Sequence, residues 1–499
     1  MNGLVYLPEC VLLLGVLVLL CSYVVGVVDE CWFSWIACIT VGGAGLLCFG
    51  LTDPTAVVQG VPGLWVYDYT SYLSCCLIML FSFMALMIVD NGHSITTHRT
   101  VEFYALWLCQ NIGMLALCCS AHWLSFMVSL ELMYLPLYAF VALQLTDGEG
   151  MEASIKYFIQ GIAASALMLY GVSLLYSGLG YLSFEWLGAA LQQVVHQSSL
   201  EHGVLSVDYS LWLSIAGCFF ILVGLAFKLG VAPFHFWVVD VYSGASYRVL
   251  TLLTTIPKWV ILVAWGRVIQ DVMAPLFSYW QWPVWLMGVI SLVWGHFGAF
   301  KQTHIKRLLG YAAIAQMGYV MLALGLATPD GLGVAMGYVF GYMVASLLLL
   351  SLLGAYQTSS GGDINQVQDL VTVVKLNPWG AGLILISVCS LIGLPPFLGF
   401  MTKLYVLWAL IREWYVSMAI LAMVMSIFGA VYYLRLLKST FFEHQANHDT
   451  SIKLTSAHRL DRSSGHTAVY SRYSWGLLSV MLVVLGLYPE AFFRLVIAL

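Results

Sequence analysis

The sequence predicts an all-α polytopic membrane protein with about fourteen transmembrane helices. Of its 499 residues, 61% are hydrophobic and only 9% are charged, with a mean hydropathy of +0.91. Soluble domains carry about 25% charged residues, so this composition excludes them. Apolar runs of about 20 residues, the length that crosses a bilayer as a helix, recur along the whole chain. These runs are too long and continuous for the strands of a membrane barrel.

The apolar runs define the predicted crossings in order. The first run has neither a basic start nor a small-residue cleavage site, so we predict a first crossing rather than a signal peptide. The run at 378–411 is too long for one simple crossing, and Pro395-Pro396 divides it. With ends placed to within several residues, the predicted crossings are 4–27, 31–51, 71–89, 101–119, 121–144, 154–178, 211–236, 245–266, 277–300, 307–327, 332–355, 378–411, 414–437 and 473–496.

Basic residues predict how the chain is oriented. Fourteen crossings place both termini on one side. Of the 19 Lys and Arg residues, thirteen fall in connections on the opposite side, three on the terminal side and three inside crossings. Because basic connections stay inside, we predict that the termini face outward and that the basic segment 438–472 faces the cytoplasm or mitochondrial matrix.

Two connections are long, 179–210 and 438–472, and neither is large enough to build a separate catalytic domain. The first is partly apolar, and we expect it to lie along the membrane surface. The twelve cysteines have no paired metal spacing. The adjacent pairs Cys75–Cys76 and Cys118–Cys119 lie in apolar runs, where we interpret them as small hydrophobic residues rather than disulfide or metal ligands. The chemistry is therefore expected inside the membrane.

Four ionisable residues lie well inside predicted crossings: Glu131, Lys228, Lys258 and Lys403. Each costs about 2.5–3.5 kcal/mol at a helix centre. Snorkelling towards the surface offers a structural explanation for Lys258 or Lys403 alone. As a set, intramembrane ionisable groups are typical of an ion path.

A lysine beside a carboxylate is suited to proton transfer. Burial disfavours the charged amine, whereas a nearby carboxylate favours it. A glutamate that approaches or leaves a buried lysine therefore switches that lysine between holding and releasing a proton. We interpret the four residues as a proton wire with Glu131 close to Lys228, all at mid-membrane depth and facing inward.

Two stretches, "FKLGVAPFHFW" and "IGLPPFLGFMTKLYVLW", each combine prolines with a nearby lysine. Proline disfavours a regular helix, and a broken helix at membrane depth is tolerated only where its backbone lines water or protein. We predict interruptions at about 228–233 and 392–398, with Pro233 and Pro395-Pro396 as their cause. Paired interrupted helices are typical of transporters built from two repeats.

Several motifs together resemble a known family. The stretches "LELMYLPLYAFVAL", "EASIKYF", "FKLGVAPFHFWVVDVYSGA", "HIKRLLGYAAIAQMGY" and "GLPPFLGFMTKLYVL" are similar to the antiporter-like membrane subunits of respiratory complex I, NADH:ubiquinone oxidoreductase. The length and the context after Glu131 favour the branch that contains subunit 2, called subunit N in bacteria. The resemblance is strong over residues 100–440 and looser before them.

The resemblance implies an architecture and a function. It implies two inverted five-helix repeats, each with one broken helix: an N-terminal three-helix extension (1–100), a first repeat (101–268), a second repeat (277–437), and a basic loop with the C-terminal helix (438–499). Glu131 matches the family's fifth-helix glutamate, Lys228 and Lys258 its lysines of helices seven and eight, and Lys403 its charged position on helix twelve. The implied function is proton translocation driven by electron transfer elsewhere in the complex.

The resemblance also implies where the cofactors and partners are. It implies no cofactor or metal in this chain, with NADH, FMN, iron–sulfur clusters and ubiquinone held by partner subunits. The implied partners are other membrane-arm subunits, including another antiporter-like one, and membrane lipids, with no nucleic acid. We see no glycine-rich phosphate loop in the sequence.

The sequence departs from the family pattern at two places. Relatives usually have a proline-containing stretch where this chain has Ser246-Tyr247-Arg248, and a histidine is common where this chain has Gln316. If that histidine normally helps to connect the two halves of the proton path, water or a neighbour such as Tyr319 must connect them in this chain. His235 and His296 are further candidates, although a histidine near a helix break is more often a hydrogen-bonded structural group.

Two alternatives and the source remain open at this point. A multisubunit cation/proton antiporter shares the same core, and a structural subunit with degenerate charges is disfavoured by the four intact ionisable residues. The chain is poor in Lys, Asn and Pro and rich in Gly, Val, Leu, Trp and Cys, residues whose codons are rich in G and T. This bias favours the mitochondrial inner membrane over a bacterial plasma membrane.

Overall fold

The structure is a computed structural model that describes residues 4–26, 30–51, 57–61, 63–89, 97–143, 148–200, 205–326, 328–358, 364–442, 452–454 and 465–490. The described residues form an almost wholly helical bundle. Its helices are α1 Leu7–Val25, α2 Glu30–Leu51, α3 Tyr69–Val89, α4 Thr97–Cys118, α5 Trp123–Leu143, α6 Gly148–Leu179, α7 Phe184–Leu200, α8 Leu205–Leu229, α9 Phe236–Gly244, α10 Tyr247–Thr254, α11 Ile256–Arg267, α12 Phe277–Phe300, α13 Ile305–Leu324, α14 Pro329–Gly354, α15 Val373–Leu376, α16 Pro378–Ile392, α17 Leu398–Arg412, α18 Val416–Phe441 and α19 Gly465–Leu487.

The helices confirm the predicted crossings. Within the described ranges, eleven helical stretches are long and apolar enough to cross a membrane, and one of them, Tyr247–Phe300, contains two crossings. The shorter pair α16–α17 and helix α19 supply two more. If the pairs α8–α9, α10–α11 and α16–α17 are each taken as one interrupted helix, and α7 and α15 are left to the connections, the helices follow the fourteen predicted segments in order. The chain is a multi-pass membrane protein.

Contacts between connections agree with the predicted order of the crossings. The described residues contain two short antiparallel strand pairs: β1 (Val58–Gln59) with β2 (Val66–Tyr67), and β3 (Tyr356–Thr358) with β4 (Ile452–Leu454). The β3–β4 pair joins two connections that are separated by two crossings. An even number of crossings must separate two segments on the same side of the bundle, so the predicted order is consistent with this pairing.

An ion pair at the other end of the bundle agrees with the same order. Arg267, at the end of α11, lies 2.5 Å from the Asp68 carboxylate, which precedes α3. Burial acts to raise the pKa of Asp68, but the Arg267 guanidinium and hydrogen bonds from Ser71 and Thr70 outweigh it and lower that pKa below 3.8. The pair thus fastens the N-terminal helices to α11, the helix that carries Lys258.

The core of the bundle lies around α11 and α14. Each residue of α11 is buried, and the 18-residue apolar window of α14 is wholly buried. A helix that is apolar on all sides is expected in such a central position. Small residues let neighbouring backbones approach: a Cβ added to Gly171 on α6 would lie 2.6 Å from the Gly217 carbonyl oxygen on α8. The interior formed by α6, α8, α11 and α14 is therefore closely packed.

Three details differ from the sequence prediction. The connection 179–210 contains a helix, α7, which packs on α8 and on the π-helical turn Val268–Met273 that follows α11. The crossing predicted as one helix over 245–266 is interrupted at Thr255, between α10 and α11. Helix α19 begins at Gly465, eight residues before the predicted start at 473, while 443–451 and 455–464 of the basic segment lie outside the described residues.

The cysteines behave as hydrophobic residues. The eleven cysteines whose side chains the structure describes are free thiols. The sulfur atoms of Cys75 and Cys119 lie 3.9 Å apart, and both side chains are buried. Cys76 and Cys118 are buried in the same core.

Candidate functional site

The first helix break is made by a glycine. Helix α8 ends in a Schellman motif, in which Gly230 adopts a left-handed φ of +76°, its N–H donates to the Phe227 carbonyl, and the Val231 N–H donates to the Ala226 carbonyl. The prediction that Pro233 ends the helix is therefore wrong. The helix has already ended at Leu229, four residues before Pro233, because Gly230 adopts a left-handed conformation that only glycine takes without a steric cost.

Side chains form hydrogen bonds with the backbone groups around the first break. Trp237 donates its indole N–H to the Phe227 carbonyl (2.9 Å), and the Tyr134 hydroxyl donates to the Lys228 carbonyl (3.1 Å). On the other side of the break, the Ala232 N–H donates to the Ser291 hydroxyl (2.9 Å). A buried backbone group without a partner costs about 1–3 kcal/mol, so these contacts hold the break open at little cost. The observed interruption, 230–235, agrees with the predicted one.

Lys228 lies at this break and meets Glu131 of α5. The Lys228 side chain is fully buried, and its Nζ lies 3.7 Å from Glu131 Oε1. The same Nζ donates to the Tyr138 hydroxyl (3.1 Å) and lies 3.9 Å from the centroid of the Tyr134 ring. Ser165 on α6 donates its hydroxyl to Glu131 Oε1. The predicted proximity of Glu131 and Lys228 is thus present in the structure.

Glu131 differs from the prediction in its exposure. Its side chain is 32% exposed, whereas we expected it to face inward with the lysines. The carboxylate lies on a face of α5 that also presents Leu124, Val128 and Leu135 outward. Their spacing of three and four residues places all four on one helix face. Glu131 therefore lies at the surface of this chain, with its carboxylate reaching Lys228 on one side and exposed on the other.

Lys258 follows a second, unpredicted interruption. Thr255 separates α10 from α11, and Pro257 in the first turn of α11 has no N–H to continue the ladder of α10. Lys258 itself is 4% exposed, and its Nζ lies 4.9 Å from the centroid of the Tyr342 ring on α14. A buried ammonium over an aromatic face is stabilised by the ring quadrupole. Pro257 in the sequence was a signal for this interruption, but the prediction did not include it.

The second predicted break repeats the first. Helix α16 ends at Gly393, which has a φ of +86°, donates to the Ser390 carbonyl and is followed by the Leu394 N–H donating to the Cys389 carbonyl. Both breaks thus follow one pattern, a left-handed glycine three residues before a Pro-Phe pair. The observed interruption, 393–397, confirms the predicted position and again assigns its start to glycine.

Lys403 contacts the second break from its C-terminal side. Lys228 precedes its break, whereas Lys403 follows its break on α17 and reaches back to it. The Lys403 Nζ donates to the Ile392 carbonyl (2.8 Å) and to the Leu391 carbonyl (3.1 Å), which are freed where α16 ends. The lysine is 9% exposed. An ammonium at the negative end of a helix is favoured by the helix dipole as well as by these hydrogen bonds.

A small cavity lies beside Lys403. Its lining includes Tyr342, the residue whose ring faces Lys258, together with Tyr338 and Thr402. The cavity is large enough for about one water molecule, and its polar lining is of the kind that holds buried water. Tyr342 therefore connects the surroundings of Lys258 with those of Lys403.

Gln316 lines the same cavity as a fixed hydrogen-bonding group. The Tyr338 hydroxyl donates to Gln316 Oε1, and Gln316 Nε2 donates to the Leu391 carbonyl (3.4 Å). An amide has no titratable proton near neutral pH, so Gln316 orders its neighbours without itself being able to carry a proton.

The remaining sequence candidates occupy different surroundings. The Tyr319 ring lies 5.5 Å from the Lys403 Nζ and 6.4 Å from the His296 ring, so Tyr319 contacts the second break. His235 occupies the N-cap position of α9 without a side-chain capping bond, and its ring packs on the Phe236 ring at the first break. Both histidines are buried.

Sequence reasoning missed the tyrosines that hold Lys228. Tyr134 and Tyr138 follow Glu131 by three and seven residues, spacings that keep them near the glutamate on the same side of α5. That periodicity was the available signal. For Ser165 the sequence offered no signal, because its contact with Glu131 joins two different helices.

Comparison with known proteins identifies the family. A sequence profile described as "NADH:quinone oxidoreductase/Mrp antiporter, TM" matches residues 120–429, more than half of the chain. NADH-quinone oxidoreductase subunit N of Azoarcus sp. (strain BH72) is 33% identical over 423 residues, which cover 82% of each chain. Subunit N of Neisseria gonorrhoeae is 31% identical over 494 residues, which cover 98% of this chain and 96% of that one.

The chain belongs to this antiporter-like family of NADH:quinone oxidoreductase and Mrp transmembrane subunits.

Solved structures of the family share the fold. A chain of respiratory complex I from Thermus thermophilus with bound aureothin superposes with a TM-score of 0.78 at 26% identity, covering 98% of both chains. A chain of the Mrp complex from Dietzia sp. DQ12-45-1b superposes with a TM-score of 0.79 at 20% identity, covering 98% of this chain and 96% of that one. The second likeness supports the fold alone. The resemblance inferred from the sequence is confirmed.

Proposed function

We propose that this chain translocates protons as a membrane-arm subunit of an NADH:quinone oxidoreductase of the respiratory complex I type. The observation that carries the proposal is the contact between Glu131 and the buried Lys228 at a helix break. Membership of the family supports the same activity. The driving force is quinone reduction elsewhere in the complex.

The proton step at Lys228 follows from its contacts. While the Glu131 carboxylate is charged and 3.7 Å away, it favours the ammonium form of Lys228. When that carboxylate is protonated or withdrawn, the buried amine loses its stabilising partner and releases a proton. The Tyr138 hydroxyl, which accepts a hydrogen bond from Nζ, holds the amine in position during this exchange.

We propose that the wire continues through Lys258 to Lys403. Both lysines are buried beside tyrosine rings, and Tyr342 links their surroundings. Water in the cavity beside Lys403 would supply the step that the amide of Gln316 is unable to carry. In this assignment Glu131, Lys228, Lys258 and Lys403 transfer protons, while Tyr319 and His235 contact the breaks.

The partner of this chain covers Glu131. A carboxylate that faces lipid is expensive, and ionisable groups in membranes almost always face protein or water. The exposed face of Leu124, Val128, Glu131 and Leu135 therefore fits another membrane-arm subunit, and we propose an antiporter-like one. Charge changes in that neighbour would then act directly on Glu131.

We also propose that the chain itself carries no redox centre. NADH, FMN, iron–sulfur clusters and ubiquinone would be bound by partner subunits, and lipids would surround the remaining helices. The boundaries 1–100, 101–268, 277–437 and 438–499 remain our proposed division of the chain.

Location and orientation complete the proposal. We propose an energy-transducing membrane with both termini on the outer side and the 438–472 segment inside. The relatives named above are bacterial, which supports a plasma membrane, whereas the amino-acid bias favours a mitochondrial inner membrane. Labelling of a cysteine introduced at 455 tests the side: only inside-out vesicles should react, and labelling of right-side-out vesicles would reverse the orientation.

A multisubunit cation/proton antiporter is the second candidate, because the profile that matches residues 120–429 is described for both NADH:quinone oxidoreductase and Mrp antiporter subunits. The native complex, isolated in mild detergent, distinguishes the two. Mass spectrometry should identify quinone-reducing and NADH-oxidising subunits, whereas a complex of antiporter subunits alone would favour the second candidate.

Substitution of Glu131 tests the activity itself. Glu131→Gln should lower proton pumping at least tenfold in proteoliposomes that contain the assembled complex, since the amide is unable to alternate in charge. Glu152→Gln is the matched control, because Glu152 is 66% exposed in a surface ion pair. Equal pumping by both variants would contradict the role of Glu131.

A further inference from the structure

A buried histidine lies beyond Lys403, on the side of the basic connections. His296 on α12 is 1% exposed, and its Nε2 is buried without a hydrogen-bond partner in the structure. Its other ring nitrogen, Nδ1, lies 3.3 Å from the Tyr432 hydroxyl on α18. Buried polar atoms nearly always have a partner, so an unpartnered nitrogen in the interior requires an explanation.

The position of His296 connects it to the second break. The Tyr319 ring lies 6.4 Å from the His296 ring and 5.5 Å from the Lys403 Nζ, so one tyrosine contacts both titratable groups. Gly429 makes room for the imidazole: a Cβ added there would lie 2.8 Å from His296 Cε1. The packing thus accommodates this ring closely.

His296 lies closer to the basic connections than to the opposite face. Helix α12 ends at Phe300, four residues later, or about 6 Å along the axis, whereas its start at Phe277 is about 28 Å away. Just beyond that end, Arg435 donates to the Gln302 carbonyl (3.0 Å) in the connection that follows. A path from the basic face to Lys403 would therefore pass His296 and Tyr432.

We propose that Tyr432 and His296 form a proton-uptake branch that supplies Lys403 from the face carrying the basic connections. This inference rests on the proposed proton translocation and assigns one route within it. We place a water molecule on His296 Nε2, between the imidazole and the Lys403 amine.

The transfer balances without any further reactant. The Tyr432 oxygen accepts a proton from the basic side while its own O–H proton passes to His296 Nδ1. The imidazolium releases its Nε2 proton to the bound water, which passes a proton to the neutral Lys403 amine. Tyrosine, histidine and water each return to their starting composition after reorientation, and Lys403 gains one proton.

Gln316 explains why this branch is needed here. Gln316 lines the cavity at the second break, but its amide forms hydrogen bonds with Tyr338, Tyr433 and the Leu391 carbonyl without carrying a titratable proton. His296 is the titratable imidazole at this break among the described residues, since His235 lies at the other break. His296 on α12 thus supplies a titratable imidazole on the uptake side of the second break, separate from the cavity that Gln316 lines.

The test uses the assembled complex in proteoliposomes. His296→Gln keeps a polar side chain but removes the titratable group, and Tyr432→Phe removes one oxygen atom, so assembly is preserved by at least the second variant. We expect pumping to fall at least tenfold in His296→Gln and at least threefold in Tyr432→Phe, with NADH oxidation by an artificial acceptor unchanged. The double variant should be no worse than His296→Gln, because both groups act in one path.

Control variants separate this inference from the proposed function. Tyr170→Phe alters a 52% exposed tyrosine on α6 and should pump normally. Lys228→Ala in the same assay reports on the proposed function: if it pumps normally, proton translocation by this chain is contradicted. If Lys228→Ala fails to pump while His296→Gln and Tyr432→Phe pump within twofold of the unsubstituted complex, only the uptake branch is overturned.

Discussion

Gly399 on α17 offers a sensitive test of the second break. It passes so close to α16 that a Cβ added to it would lie 1.8 Å from the Ser390 carbonyl oxygen. The closest ordinary approach of such a carbon and oxygen is about 3.3 Å. Gly399→Ala must therefore push the two half-helices apart by about 1.5 Å.

That displacement reaches Lys403 directly. Its Nζ donates to the Ile392 carbonyl over 2.8 Å, and a shift of about 1.5 Å would lengthen this contact to about 4.3 Å, beyond hydrogen bonding. Overpacking costs about 1–3 kcal/mol, and a lost hydrogen bond to a charged group about 1.5–3 kcal/mol. We expect the variant to be destabilised by about 2.5–6 kcal/mol in total. A misplacement of about 1 Å at a reacting group can cost about a hundredfold in rate, so pumping should fall at least tenfold.

The assay compares Gly399→Ala with Gly382→Ala. Gly382 lies on α16, and a Cβ added to it would meet nothing within 4 Å. The control should retain pumping and the thermal unfolding midpoint, since alanine is favoured over glycine in a helix. If both variants pump equally and unfold at the same temperature, the close approach of α16 and α17 is wrong.

Three further predictions concern other contacts. Tyr138→Phe removes the hydroxyl that accepts the lysine hydrogen bond at the first break, and pumping should fall severalfold while Tyr170→Phe has no effect. Ser291→Ala leaves the backbone N–H of that break without its acceptor and should lower the free energy of unfolding by about 1–3 kcal/mol, against no change for the exposed Ser173→Ala. Because the folded pKa of Asp68 lies below 3.8, its ion pair stabilises the chain above about pH 4 and loses that effect as the pH falls through the folded pKa. Asp68→Asn should therefore lower the unfolding midpoint at pH 7 and flatten its decline in acid, and an unchanged acid profile would contradict this role.

The sequence predicted the fold because hydropathy in a membrane protein leaves little choice. Lipid permits only helices or closed barrels, so runs of about 20 apolar residues locate the crossings directly. The same reasoning located both breaks within a few residues. It assigned them to Pro233 and Pro395-Pro396, however, because proline is the residue that forbids a helix, whereas a glycine ends one only in a context that the sequence leaves open.

The candidate site was predictable in its charges but not in its partners. Lys228 and Lys403 are conspicuous in apolar runs, and their order relative to the prolines is visible in the sequence: Lys228 comes before Pro233, and Lys403 comes after Pro395-Pro396. Their contacts are not visible there, because the reach of Lys403 back to the carbonyls of α16 depends on side-chain direction in three dimensions. Contacts between helices, such as Ser165 with Glu131, leave no trace in a single sequence.

The number of protons pumped per NADH oxidised, measured for the Lys228→Ala complex, tests the central claim most directly. Lys228 is the fully buried ammonium that faces Glu131, so its removal should interrupt translocation through this chain. Lys156→Ala is the matched control, because Lys156 is 42% exposed in surface ion pairs. We predict a lower proton-to-NADH ratio or a block of coupled turnover in Lys228→Ala, with an unchanged ratio in Lys156→Ala. An assembled Lys228→Ala complex that pumps the full number of protons at the normal rate would contradict the account.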